Sequence, residues 1–366
     1  MGARRLRQWI LHPLVEQEEI DARLDAVEAL LEGELLRQEV RSRLHSVSDI
    51  ERLNARVAYG TANARDLQAL ARSLNELPEI AAACERTDDP TLQRLTFEFT
   101  SLESLRKELF RALAEEPPVS LREGGIIADG YDENLDELRQ LRGSGKDWIA
   151  KLQEDEREQT GIKSLKVGYN QVFGYYIEVT KSNLANVPEH YIRKQTLANA
   201  ERYFTPELKE YEARVLGAED KIRELEYDLF TELRKRCAEE GETLRWVARC
   251  LSELDVLCGF AEGATRHRWV KPVITQDNLL EIQGGRHPVV ERSTDSRFVP
   301  NDLSLDGKKR LVLLTGPNMS GKSTYLRQNA LLTIMAQMGC YVPADSAVVG
   351  VTDRVFTRVG ASDDLH

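Results

Sequence analysis

The chain is poor in the features that mark secreted, membrane-spanning or zinc-held proteins. Its five cysteines, Cys84, Cys237, Cys250, Cys258 and Cys340, are scattered, with no Cys-x2-Cys pair and no histidine near enough in sequence to complete a zinc set. They read as buried thiols in a reducing compartment. No apolar run of the roughly 18 residues needed to cross a bilayer is present, and the opening Met1-Gly2-Ala3-Arg4-Arg5 has no apolar stretch behind it to act as a signal peptide. A cytoplasmic protein without a membrane partner is expected. Positive charge is also in deficit. With 50 Lys and Arg against 61 Asp and Glu, the net charge of -11 describes solvated helical faces and excludes a general affinity for nucleic acid over the whole surface. Any contact with DNA has to be local.

What the chain does have is length and helical periodicity. Its 366 residues suffice for two or three domains, each with its own core. From Leu6 to about Ala114 the pattern is almost all helix, with Ile20, Leu24, Val27 and Leu31 on one stripe and Ser48 or Asp49 placed to cap the segment carrying Ile50, Leu53 and Val57. Pro117-Pro118 and Gly124-Gly125 interrupt it, and a polar helix begins near Asp132. In that helix Leu135, Leu138, Ile149 and Leu152 keep a seven-residue frame broken by Arg142 and Gly145; Leu208, Tyr211, Val215, Ala218, Ile222, Leu225 and Leu229 keep it unbroken. Two long paired helices are expected, each arm about 45 Å long at 1.5 Å per residue. An ordinary hairpin folded into a compact bundle is the alternative, since bundles also use heptads.

Between the two helical runs, residues 161 to 205 are rich in Tyr, Val, Ile and Thr, with Gly168 and Gly174 as turn points, and read as a small β-rich tip. The tip is electrically distinct. Lys163, Lys166, Lys181, Arg193, Lys194 and Arg202 outnumber Glu178, Glu189 and Glu201 in an otherwise acidic chain. A phosphate backbone suits that surplus, and the interleaved Tyr169, Asn170, Gln195, Asn199 and Tyr203 are able to hydrogen-bond phosphates. A solvated β surface explains the charge equally well.

The most specific motif comes late. Thr315-Gly316-Pro317-Asn318-Met319-Ser320-Gly321-Lys322-Ser323-Thr324 follows the apolar run Arg310-Leu311-Val312-Leu313-Leu314 and precedes a helical run, Tyr325 to Met338, with Leu326, Ala330, Leu331, Ile334 and Met338 on one side. Strand, glycine loop and helix form the phosphate-binding pattern: loop N–H groups and the helix dipole face the phosphates, Lys322 adds a full charge, and the Ser323 hydroxyl can ligate Mg²⁺. ATP or ADP with Mg²⁺ is the expected ligand. No apolar strand ending in Asp-Glu follows, as a hydrolase of this kind requires, and Asp353 reads as a surface turn residue.

Taken together, the chain resembles the bacterial MutS family of ATP-dependent DNA mismatch sensors over essentially its whole length. The resemblance rests on Arg4-Arg5-Leu6-Arg7-Gln8-Trp9-Ile10-Leu11-His12-Pro13-Leu14, Arg23 to Glu28, Leu165 to Asn170, Gly174 to Val179, Lys194 to Tyr203, Gly285-Arg286-His287-Pro288-Val289-Val290-Glu291, the phosphate loop, and Thr357 to Leu365. It implies a multidomain protein: a mainly α core and lever domain (1–130), a descending stalk helix (131–160), a small β-rich DNA clamp at its tip (161–205), an ascending stalk helix (206–265) and the first part of an α/β P-loop, ABC-type ATPase domain (266–366). It also places Asn170, Asn199 and Arg202 on the clamp's DNA surface. Phe298 falls where the family stacks an aromatic on adenine, and its place eighteen residues before Gly316 suits that role.

The same resemblance implies double-stranded DNA as partner through its backbone, a homodimer in the full-length protein, and mismatch-repair partners such as MutL in the bacterial cytoplasm. The mismatch-wedge and connector domains are missing from the match, as are the signature loop and metal strand. Little ATP turnover is therefore expected of these residues alone, and a sequence-independent DNA-binding lever and clamp is the alternative reading. A chromosome-organising ABC protein would place its phosphate loop before the coiled coil, whereas Lys322 follows it here. A simple P-loop kinase leaves the stalk unexplained.

Overall fold

The structure is a computed structural model and describes residues 1–170, 174–293, 298–317 and 320–357. The chain divides into two compact units: residues 1–58, 69–106 and 238–366 form the first, and residues 59–68 and 107–237 the second. Helices dominate both, and each carries one small sheet.

The chain opens with α1 (Gly2–Leu11), α2 (Gln17–Glu32), α3 (Glu34–Ser46), α4 (Ile50–Ala58), α5 (Ala64–Asn75), α6 (Leu77–Glu85), α7 (Pro90–Thr96) and α8 (Glu103–Ala112). Their starts have local causes. The Asp49 carboxylate accepts from the Arg52 amide at 3.2 Å to cap α4, and Asp89 caps α7 through the Leu92 amide at 2.8 Å with Pro90 at the first helical position. Ile20, Leu24 and Val27 are fully buried as expected, with Leu30 beside them, while Leu31 is only half-buried.

The second unit is built on α9 (Glu133–Thr160), a sheet of β1 (Lys166–Asn170), β2 (Gly174–Thr180), β3 (Ile192–Thr196) and β4 (Ala200–Phe204), and α10 (Pro206–Glu239). Asp132 caps α9 through the Leu135 amide at 2.9 Å, and Gly161, left-handed at φ 70°, ends it. At 28 residues α9 runs about 42 Å. All strands pair antiparallel in the order β1-β2-β4-β3. Beneath the sheet a core of Leu152, Ile162, Leu165, Ile177, Val179, Tyr191, Tyr203 and Leu208 joins the end of α9 to the start of α10. Trp148 stacks on Tyr211 with ring centroids 3.7 Å apart, which fixes the two helices side by side.

The seven-residue frame holds only along part of α10. Leu208, Tyr211, Ala218 and Ile222 are buried, but Leu225 and Leu229 are half-buried, and the strip continues through Glu226, Phe230, Leu233 and Cys237. A straight α-helix drifts against a 3.5-residue repeat, so the buried strip moves around α10 instead of staying on the heptad seam. The side chain of Val215, one of the frame positions, lies outside the described residues.

The chain then enters α11 (Gly241–His267), the central helix of the first unit. Leu244, Val247, Leu251, Leu254, Leu257, Phe260 and Ala261 are buried along it against α1, α2, α3, α4 and α7. A second sheet follows from β5 (Val273–Thr275), β6 (Leu280–Gly285), the short α12 (Val290–Ser293), β7 (Asn301–Leu305), α13 (Lys322–Gln337) and β8 (Ser346–Gly350), in the order β5-β8-β6-β7 with β5 and β8 parallel. Two expectations fail here. Arg310–Leu314 forms no strand and is exposed, with Leu311 and Leu313 the most open, because no described strand offers it backbone partners. The side of α13 that is buried carries Gln328, Leu332, Thr333, Met335, Ala336 and Gln337, whereas Leu326 faces solvent. Apolar residues lie around much of this helix, so its packing partners select the buried side.

Candidate functional site

Two groups of residues are candidates for a functional site, one in each unit. In the first unit the phosphate-loop sequence meets α13 at Gly321, whose φ of 90° is open to glycine, and the helix begins at Lys322 as expected. The Lys322 ammonium folds back and donates to the carbonyl oxygens of Gly316 and Pro317, both at 2.6 Å. Ser320, Ser323 and Thr324 stand in the same turn, with Ser323 exposed; Asn318 and Met319 lie outside the described residues. The first-turn amides of a helix have no partner within it and point outward with the positive end of the dipole. The Lys322 ammonium, the helix N-terminus and the exposed Ser323 hydroxyl are groups of the kind that suit a phosphate with its Mg²⁺.

Phe298 is half-buried three residues before β7. The start of α13 is tied to that strand, because the Tyr325 hydroxyl donates to the Asp302 carbonyl at 2.8 Å. Asp353 is exposed in a bend beside Arg354 and ends no strand. The far end of α13 holds a feature the periodicity did not reveal. Gln337 is buried; its side-chain N–H groups donate to Leu14 O at 2.7 Å and Thr352 O at 3.0 Å, and its Oε1 accepts from the Thr352 amide at 3.0 Å. Arg23 of α2 donates to Met338 O at 3.3 Å while stacking on Trp9 at 3.6 Å. The helix leading from the phosphate loop is thereby fastened to the turn between α1 and α2. A glutamine inside an apolar run is the signal that the sequence offers for it.

In the second unit the sheet is fastened to both helices. Gln153 of α9 accepts from the Val167 amide at 3.0 Å, Arg157 donates to Leu165 O at 2.7 Å, Tyr191 donates to the Glu156 carboxylate at 2.6 Å, and Glu212 of α10 accepts from the Tyr175 amide at 2.8 Å. At the other end of these helices, Arg139 of α9 donates to Glu226 of α10, to Asp129 (both 2.6 Å) and to Ile127 O, with Glu226 almost fully buried. The sheet and this ion pair thus mark opposite ends of the helix pair.

The basic residues expected to meet phosphate separate into two kinds. Lys163, Lys166 and Lys181 are exposed, as is Asn199. Arg193 approaches Glu201 at 3.7 Å, Arg202 donates to Glu178 at 3.0 Å, and Lys194 lies 5.5 Å over the Phe204 ring. Asn170 closes β1, half-buried. Tyr203 is not a surface donor: it is buried, its hydroxyl donates to Glu201 at 2.6 Å, and burial, with that bond second, pushes its pKa up to about 12. Alternation along β4 explains this, since Tyr203 and Arg202 face opposite sides of the sheet. Gly168 is not a turn point either but sits within β1. Among the described residues no group of His, Cys, Asp and Glu suits a metal ion, and no helix is long and apolar enough to cross a membrane.

Comparison with known proteins gives these features a family. The family model described as MutS domain III matches residues 1–261, and that described as MutS domain V matches residues 312–366. Proteins named DNA mismatch repair protein MutS are similar over the entire chain: 54% identity with that of Desulforamulus reducens, 53% with that of Halothermothrix orenii and 52% with that of Methanococcoides burtonii. The chain spans 42%, 41% and 42% of their respective lengths. With one family model covering residues 1–261, the chain belongs to the MutS family.

Proposed function

We propose that this chain is the lever, clamp and nucleotide-loop part of an ATP-dependent mismatch-repair protein acting on double-stranded DNA in the bacterial cytoplasm. In this reading residues 1–130 serve as core and lever, 131–160 and 206–265 as stalk, 161–205 as clamp, and 266–366 as the first part of the ATPase domain. The observation that carries it is the sheet of the second unit, which holds a basic surplus on an acidic chain at one end of two paired helices. Lys163, Lys166, Asn170, Arg193, Lys194, Asn199 and Arg202 contact the phosphate backbone, which positions a duplex without reading its sequence.

Gly316 to Thr324 hold the phosphates of ATP or ADP, Ser323 the Mg²⁺, and Phe298 the adenine. Support comes from the Lys322 contacts and the start of α13 at the loop. The Gln337 and Arg23 bonds give nucleotide occupancy a path to the core helices of the same unit. Homodimerisation and MutL contact belong to the whole protein in this reading.

Duplex binding measured against salt tests the clamp. With about three phosphates neutralised, log affinity falls against log salt with a slope near -3, at roughly 0.9 counterion per contact. A flat response removes the clamp reading.

A further inference from the structure

We infer that Gly168, Tyr176, Glu178 and Gln195 form a seat that fixes the guanidinium of Arg202 on the outer face of the clamp sheet, with Glu178 as its positioning residue. The inference rests on the proposed duplex-binding function. Register places these groups together. Lys166, Glu178, Arg202 and Gln195 are successive Cα partners across β1, β2, β4 and β3, one row spanning the whole sheet. Residues paired in this way share a face.

Three contacts hold the guanidinium. Its Nε–H donates to Glu178 Oε2 at 3.0 Å, its Nη1 donates to Gln195 Oε1 at 3.2 Å, and its Cζ lies 4.0 Å from the centre of the Tyr176 ring. Tyr176 is itself placed by Gly168, its partner across β1 and β2. A Cβ at position 168 would stand 2.9 Å from the Tyr176 Cζ and hydroxyl oxygen, so only glycine lets the ring lie there. Of the five N–H donors of a guanidinium, two are committed to Glu178 and Gln195, and the Nη2 edge has no partner among the described residues. Arg202 keeps 18% of its side-chain surface exposed. The rigid fork of arginine matches a phosphate only when its orientation is fixed, and the seat fixes it before the ligand arrives.

This role reverses the sign expected from charge alone. Removing the Glu178 carboxylate makes the sheet more positive and by simple screening strengthens binding to DNA. A seat predicts weaker binding, because the freed guanidinium loses its orientation.

The test uses the 366-residue chain and a fluorescent 20-base-pair duplex, titrated at several salt concentrations, with Arg202→Ala as reference. Glu178→Gln is expected to weaken binding about fivefold and lower the salt slope by about 0.9, the loss of one phosphate contact. Tyr176→Leu should do the same and Tyr176→Phe should restore binding, while Glu178→Gln added to Arg202→Ala, with no guanidinium left to orient, weakens binding no further and leaves only the charge effect. Binding by Glu178→Gln that is equal or tighter at unchanged slope overturns the seat while leaving the clamp reading intact. A flat salt response of the unsubstituted chain overturns the clamp reading and the seat's purpose with it. An independent readout needs no DNA: the Arg202 Nε–H resonance is expected to be protected from solvent exchange in the free protein and to lose that protection in Glu178→Gln. Equal exchange in both also overturns the seat.

Discussion

Burial settles the chemistry of single residues more than their identity does. All five cysteines are buried and unpaired, and burial pushes the thiols of Cys84, Cys237 and Cys250 up to about 12. Thiolate is the reactive form, so a thiol reagent at pH 8 is expected to label none of them in the native chain and all five after unfolding. His287 shows a second effect. Its Nδ1 accepts from the Val289 amide at 3.3 Å and the Val290 amide at 3.2 Å, and burial, with Arg327 nearby, holds its pKa below the ordinary 6.5. Protonated Nδ1 would face two donors. Because the unfolded ring titrates near 6.5 and the folded ring lower, the unfolded state binds more protons in that interval and stability rises with pH across it. Denaturant unfolding should therefore show a loss of stability as pH falls below about 6.5, and His287→Asn, which keeps an acceptor, should flatten it. The cysteine result is legible from scattered spacing; the His287 shift is not, because the burial that causes it comes from the tertiary structure, although its Nδ1 contacts are local.

The paired helices combine a readable frame with an unreadable ion pair. Asp132, Gly161 and the apolar positions of α9 and α10 announce both helices in the sequence. Nothing local says that Glu226 would be buried or that Arg139, eighty-seven positions away, would reach it. Breaking a buried pair leaves a charge without its partner, so Arg139→Ala should cost about 3–5 kcal/mol in denaturant unfolding. The double change Arg139→Met with Glu226→Leu should recover most of it, because apolar replacement removes both desolvated charges. The core under the sheet is tested by Leu165→Ala, which is expected to cost about 2–5 kcal/mol by losing a fully buried side chain between α9 and the strands. The sequence marks Leu165 only as the start of a family motif, while its place in the core follows from the pairing of distant strands.

At the scale of the molecule, the two candidate sites lie in different units, which makes their chemistry separable. Lys322→Ala is expected to abolish binding of Mg²⁺-ATP in equilibrium titration and to leave the salt slope of nucleotide-free duplex binding unchanged. Arg202→Ala should do the reverse, weakening every duplex sequence alike, as loss of a phosphate contact does. Loss of both activities in either variant would contradict the assignment of one function to each unit.

The order of residues by itself determined the helices, their caps, the phosphate-loop spacing and the basic surplus between residues 161 and 205, because each depends on neighbours within a few positions. Tertiary structure decided which of those features work together. Arg310–Leu314 stayed out of the sheet because a strand exists only where another strand supplies hydrogen bonds. Tyr203 turned inward while Arg202 remained outside, on a row whose other members come from three different strands. Strand register and helix drift are set by contacts between segments far apart in the chain, and those contacts determine which charges are held in place and which remain open to a ligand.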